Sequence, residues 1–228
     1  MKLLHRNLSR RLPKKYSNLS LVGLLAILIS GLSSTALAEI NTTVLFQPPP
    51  ESEQPESTES AASRQSGQCF QDLLTSQRQE SSEGLAQLIP IVPINNFALT
   101  ISDRPDFWVY LPETSAKQAI LSIQEEDGNP HWQQQINLTE AAGIMNISLS
   151  KDAPVLDTDK NYQWAVILIC GNRPNPNDPV VTSWIKRVNE SQLVKSVNYA
   201  TELDKAANYA KQGIWYDVLN ILVTQKDT

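Results

Sequence analysis

Residues 156–170, LDTDKNYQWAVILIC, constrain the fold of this 228-residue chain more than any other stretch. Polar turn formers up to Asn161 lead into an uninterrupted apolar run from Trp164 to Cys170. Alternation along a strand would place Tyr162, Trp164, Val166 and Leu168 on one face and Ala165, Ile167 and Ile169 on the other. Apolar side chains on both faces predict a strand at the centre of a sheet, which needs neighbours on either side and a layer above it.

The surrounding sequence supplies those neighbours. Between Asn95 and Asn189 the pattern predicts strands at 97–102, 107–111, 119–124, 131–138, 144–149, 162–169 and 180–188. Turn formers separate them at 103–105, 112–115, 127–130, 141–143, 151–154 and 171–179. With no helical period between strands, the expected fold is an antiparallel two-sheet sandwich rather than a parallel α/β domain. Upstream, Leu85, Leu88, Ile89, Ile91 and Val92 are interrupted by Pro90 and Pro93, which suits an extended edge segment. Phe70, Leu73 and Leu74 allow a short helix within 69–82.

Leu156 stands six residues before Tyr162 with a turn between them. This resembles the tyrosine corner of fibronectin type III and related immunoglobulin-like sandwiches, whose tyrosine hydroxyl bonds a backbone group upstream. Thr158 and Lys160 stand where that motif has Pro and Thr, so the resemblance lies in the spacing and the two anchors.

After Asn189 the period becomes helical. Leu203, Ala206, Ala207, Tyr209 and Ala210 form one stripe, and Trp215, Tyr216, Val218, Leu219, Leu222 and Val223 a second, with a break at Gly213. Tyr209, Gly213, Trp215 and Val218 resemble one tetratricopeptide unit, and a single unit must bury its face on the sandwich or on a partner. The expected fold class is therefore mainly β: an immunoglobulin-like antiparallel β-sandwich over 68–188, followed by an α-helical hairpin over 189–228.

The first 38 residues read as a secretory signal: a basic stretch with Lys2, Arg6, Arg10, Arg11, Lys14 and Lys15, an apolar run over 21–29, and Ala36-Leu37-Ala38 as a cleavage site. Leu12 and Pro13 after the arginine pair favour the general secretion route over the twin-arginine one. Cleavage after Ala38 would remove six of the 19 Lys and Arg and none of the 24 Asp and Glu, leaving a net charge of −11. An acidic surface without basic clusters argues against nucleic acid and anionic lipid as partners. No membrane span is expected after cleavage, and the location expected is the periplasm or the extracellular space. Residues 39–67, rich in Pro, Ser, Thr, Glu and Gln, predict a disordered tether. An exported chain with two cysteines, Cys69 and Cys170, predicts one disulfide, worth about 4–5 kcal/mol through loop entropy.

Four aromatic motifs combine into a wider resemblance: Arg104-Pro105-x-Phe107-Trp108-x-Tyr110-x-Pro112, Tyr162-x-Trp164 running to Cys170, Trp184-Ile185-x-Arg187-Val188, and Tyr209-Ala210-x-x-Gly213-Ile214-Trp215-Tyr216-Asp217. Together they resemble an exported cyanobacterial family, domain of unknown function nine-two-eight. The resemblance implies compartment and architecture and transfers no catalytic residue.

Site chemistry is sparse. His131 is the one histidine beyond residue 38, and it sits at a strand start, where an ordinary strand role is expected rather than a general base or metal ligand. Glu125, Glu126 and Asp127, and Asp152, Asp157 and Asp159, fall in turns as solvated carboxylates; Asp157 and Asp159 could converge on calcium but lack the glycine spacing of known calcium loops. Trp108, Trp164, Trp184 and Trp215 read as packing residues, while Trp132 beside a turn is expected to be exposed. The function expected is an exported, non-catalytic protein-interaction module needing no cofactor, with contact through Trp215, Tyr216 and Trp132. The alternative is a carbohydrate-binding or carbohydrate-processing envelope protein.

Overall fold

The computed structural model describes residues 43–56, 58, 69–70, 87–129, 131–139, 142–193 and 198–226. The expected signal segment, 1–38, lies outside them, as do residues 71–82 of the expected short helix; Cys69 and Phe70 are helical.

Among the described residues eight strands build two sheets: β1 (Ile89–Pro90), β2 (Phe97–Thr100), β3 (Asp106–Leu111), β4 (Gln118–Glu125), β5 (His131–Asn137), β6 (Gly143–Ser148), β7 (Asn161–Ile169) and β8 (Val180–Arg187). One sheet runs β1-β3-β6 and the other β2-β8-β7-β4-β5. All seven predicted strands are present with ends within two residues of those expected. β7 is central, flanked antiparallel by β4 and β8. Its Tyr162, Trp164, Val166 and Leu168 are buried against Phe107, Val109 and Met145 of the smaller sheet, whereas Ala165 and Ile167 on the outer face are half-buried. The second apolar face of β7 is therefore only partly covered.

The all-antiparallel expectation needs correction at β2, which pairs parallel to β8 from Phe97↔Trp184 to Thr100↔Arg187. After β2 the chain crosses to the other sheet as β3, so β2 enters from the same end as β8. The tyrosine corner is formed: the Asp157 backbone N–H donates to the Tyr162 hydroxyl oxygen (3.0 Å), and Leu156 is buried, its N–H donating to the Asp103 carbonyl (3.0 Å). Cys69 and Cys170 are joined as a disulfide with Cα atoms 5.0 Å apart.

Three helices follow, α1 (Glu190–Leu193), α2 (Glu202–Lys211) and α3 (Trp215–Lys226). Thr201 caps α2 by accepting the Asp204 N–H. The α2–α3 hairpin covers β2: Ala206, Tyr209, Ala210, Ile214 and Val218 form a second apolar cluster with Phe97, Leu99 and Val188. β2, an edge strand by pairing, is thus buried at all four residues.

The described part of the expected tether differs from that expectation. Gln47 N–H donates to the Ala210 carbonyl (2.9 Å), Phe46 meets Trp215 edge-on at 4.9 Å, Pro49 and Pro55 are buried, and Glu53 pairs with Lys186. This strap crosses the hairpin at Gly213, whose φ of +77° and Pro49 neighbour leave no room for a side chain: a Cβ there would lie 2.7 Å from Pro49 Cγ. Low hydrophobicity hid the strap because a few anchors, rather than a periodic face, hold it.

Candidate functional site

The side chains of α3 account for most of the polar contacts between hairpin and sandwich. Tyr216, 1% exposed, reaches into the main core beside Phe107 and accepts the Trp164 indole N–H (2.7 Å) while its hydroxyl donates to the Trp184 carbonyl (3.2 Å). Burial pushes the Tyr216 hydroxyl pKa well up, so it stays protonated. Trp215, half-buried, donates its indole N–H to the Ile91 carbonyl (2.8 Å). One carboxylate oxygen of Asp217 accepts both the Thr100 hydroxyl (2.8 Å) and the Ile101 N–H (3.2 Å). Burial raises its pKa above the usual carboxylate value despite those bonds. Asn220 accepts the Trp108 indole N–H and donates to Asp106, both at 2.9 Å.

These bonds tie two of the residues expected at a partner contact, Trp215 and Tyr216, to the sandwich. Tyr216 is a core residue, and Trp215 is engaged by Phe46 and Ile91. The two are adjacent on a helix, about 100° apart around its axis, and the sandwich wraps far enough around α3 to take both. Trp132 is half-buried rather than exposed. Its indole lines a crevice of about 20 Å³ with Ile123, Pro154, Val155, Leu156 and Tyr162, too small for a sugar ring.

Four of the turn carboxylates share an open hollow of about 490 Å³, lined by Glu56, Glu125, Glu126, Asp127, Asp159, Lys160 and Asn161. Most of the acids there are engaged. Lys160 bridges Glu125 (3.0 Å) and Asp157 (3.2 Å), and Glu126 accepts from Asn161 (2.9 Å) and from the Glu56 N–H (3.3 Å). Asp157 is bridged by Lys160, and Asp159, at φ +64°, gives its backbone N–H to the Arg187 carbonyl (2.7 Å). Among the described residues no group of three or more His, Cys, Asp or Glu is placed to hold a metal.

His131 Nε2 lies 2.7 Å from Ser122 Oγ on the exposed face of the larger sheet. A nucleophile activated in this way also needs a group orienting the far ring nitrogen and donors for an oxyanion. Among the described residues no hydrogen bond holds the other nitrogen; Ser122 on β4 and His131 on β5 form a cross-strand contact.

Sequence reasoning missed the flank opposite the hairpin. β5 ends the larger sheet and β6 the smaller. Gln134 ties them together, donating to the Ser148 carbonyl (3.2 Å) and accepting the Ser150 N–H (2.8 Å). The signal available was β5 itself, HWQQQIN, a strand without charge or proline.

No curated protein matches the chain. Among solved structures, the fn3 domain of human collagen alpha-1(XX) chain is 11% identical over 54% of this chain and 98% of that one, with a TM-score of 0.29. A family model described as Domain of Unknown Function (DUF928) matches residues 59–228, about three quarters of the chain. The chain therefore belongs to the DUF928 family.

Proposed function

We propose that the chain is an exported, non-catalytic interaction module of the envelope or extracellular space, and that it meets its partner through the β5–β6 flank rather than the hairpin. The observation that carries this reading is the division of polar bonding. Trp215, Tyr216, Asp217 and Asn220 are bonded to the sandwich, whereas the outward side of β5 has no strand beside it among the described residues. The disulfide supports an oxidising compartment, as does the leader-like composition of residues 1–38. No described helix is long and apolar enough to cross a membrane.

A photo-cross-linking residue at exposed Gln133, compared with one at exposed Gln225 near the end of α3, tests the reading in the exporting cell. Adducts from position 133 alone support it. Adducts from position 225 alone return the contact to the hairpin. Intact mass of the exported protein checks for loss of residues 1–38.

One feature favours the carbohydrate alternative. Gln118, Gln133, Gln135, Asn172 and Arg173 line a groove of about 360 Å³ with Ile120 and Ile169, and amide and guanidinium donors suit sugar hydroxyls. Retention on one member of a polysaccharide panel, lost on Arg173→Ala, would select that reading.

A further inference from the structure

The pairing of β5 identifies which of its backbone groups are free. Leu138 N–H donates to the Lys117 carbonyl (2.9 Å), and the β4–β5 register continues without a bulge from Gln118↔Asn137 to Gln124↔His131. Hydrogen-bonded and non-hydrogen-bonded positions alternate along an antiparallel pair. Trp132, Gln134 and Ile136 therefore bond β4, while the N–H and C=O groups of His131, Gln133, Gln135 and Asn137 point away from the sheet. The same four residues are exposed in their side chains.

Edge strands of this kind are ordinarily guarded by charge, proline or a bulge. β5 has none of the three, although the chain as a whole carries a net charge of −5. Its sequence is also close to symmetric about Gln134: Gln133 mirrors Gln135, Trp132 mirrors Ile136, and His131 mirrors Asn137.

We infer that β5 pairs antiparallel with β5 of a second copy, on a two-fold axis at Gln134, joining the two five-stranded sheets into one. This rests on the placement of the contact on the β5–β6 flank proposed above. Symmetry and bonding agree on the register. With Gln134 opposite Gln134, the pairs Gln133/Gln135 and His131/Asn137 fall on the outward-bonding positions, so every free backbone group of β5 finds a partner. The intervening positions set Trp132 across from Ile136, an aromatic–β-branched pair of the kind that stabilises sheets. No like charges face each other within the strand pair, so the uncharged edge complements itself. Of the two flank edges β5 is the one so suited, because Gln134 already occupies the Ser148 carbonyl of β6.

A seven-residue strand pair falls short of the roughly 1,200 Å² buried in a stable interface, so the dimer is weak. Sedimentation of the purified protein from micromolar to millimolar concentration should show the apparent mass climbing towards twice the monomer. Higher salt should strengthen this, because two acidic copies repel. Gln133→Lys/Gln135→Lys sets lysine against lysine at both pairs and should hold the protein monomeric.

Register is tested by oxidising a mixture of Gln133→Cys and Gln135→Cys proteins. They should form the mixed disulfide, their Cα atoms lying about 5.5 Å apart. Gln133→Cys alone should not form its own dimer, because two residues of offset put those atoms about 8–9 Å apart, beyond disulfide reach. A protein that stays monomeric at every concentration and yields no mixed disulfide overturns self-pairing. If Gln133 still cross-links to a different protein in the cell, the interaction reading stands and only the second copy is wrong; if it cross-links to nothing, that reading fails as well.

Discussion

The two flanks of this sandwich solve the same physical problem in opposite ways. A sheet must end somewhere, and its last strand carries unpaired backbone groups and a partly covered apolar face. At β2 the chain closes the end with its own material: the helical hairpin covers the outer face, Tyr216 enters between the sheets, and the strap carrying Phe46 and Pro49 lies over the hairpin turn. At β5 a single side chain, Gln134, links the two edges, and the outer backbone is left open. The difference places packing on one side and leaves backbone bonding capacity on the other, the side on which we propose recognition. Trp215 and Tyr216 of α3 bond the sandwich, and β5, a glutamine-rich strand that looks bland in the sequence, keeps outward backbone groups with no strand beside them among the described residues.

The sharpest way to break this comparison is at Tyr216. Tyr216→Ala removes a fully buried ring, leaves the Trp164 indole N–H without its acceptor and takes one donor from the Trp184 carbonyl. The expected loss in denaturant unfolding is about 3–5 kcal/mol. Tyr216→Phe keeps the ring and drops the hydroxyl, at about 1–3 kcal/mol for the buried groups left unpaired. A Tyr216→Ala loss below that of Tyr216→Phe would mean that the hairpin does not seal the core.

Gly213→Ala comes next. The position combines positive φ with the Pro49 ring against it, so a methyl group meets both backbone strain and the strap. Strain alone is worth about 1 kcal/mol. Replacing Pro49 by Gly in the same chain should restore part of the loss, leaving the strain. Full additivity of the two changes would show that the strap does not bear on the turn.

Asp217→Asn has a smaller effect, visible in its pH dependence. Burial holds the carboxyl pKa above its usual value, so the ionised form costs stability in the folded protein. That cost is present at neutral pH and disappears as pH falls below the ordinary carboxylate range. Asparagine can still accept from Thr100 and Ile101, so the variant should match or exceed the native protein in melting temperature at neutral pH. As pH falls towards the carboxylate range, the native protein should regain ground on it. A gap moving the other way would mean that the bonds from Thr100 and Ile101 outweigh burial.

Much of this architecture was legible because alternation is a local signal. Phe107, Val109 and Leu111 declare one buried face without reference to the rest of the chain, and the six-residue spacing of Leu156 and Tyr162 declares the corner. What stayed hidden depends on contacts distant in sequence. Trp215 and Tyr216 carry equally apolar rings, and only the curvature of the sandwich around α3 decides that one is half-buried and the other enclosed. The strap offers a helical or strand period nowhere, and the parallel placing of β2 follows from where the chain crosses between sheets. The candidate site was hidden for a related reason: the freedom of His131, Gln133, Gln135 and Asn137 to bond outward is a property of the sheet order, and the lack of charge and proline in β5 gains meaning only once that order makes it an edge.

The smallest expected effect belongs to the open flank, and its smallness is the point. Gln133 and Gln135 are exposed in their side chains, and their backbone groups face away from β4, so among the described residues the lysine double variant breaks no hydrogen bond of either side chain. Surface substitutions of this kind change stability by less than about 0.5 kcal/mol. Measured at micromolar concentration, where β5 has no second copy beside it, the variant should unfold with the native protein by denaturant. Measured at millimolar concentration, the native protein should gain a small rise in melting temperature that the variant lacks, because association stabilises by mass action. A loss above 1 kcal/mol at low concentration would show that β5 serves the stability of its own sheet, and the division between a sealed flank and a recognition flank would then fail.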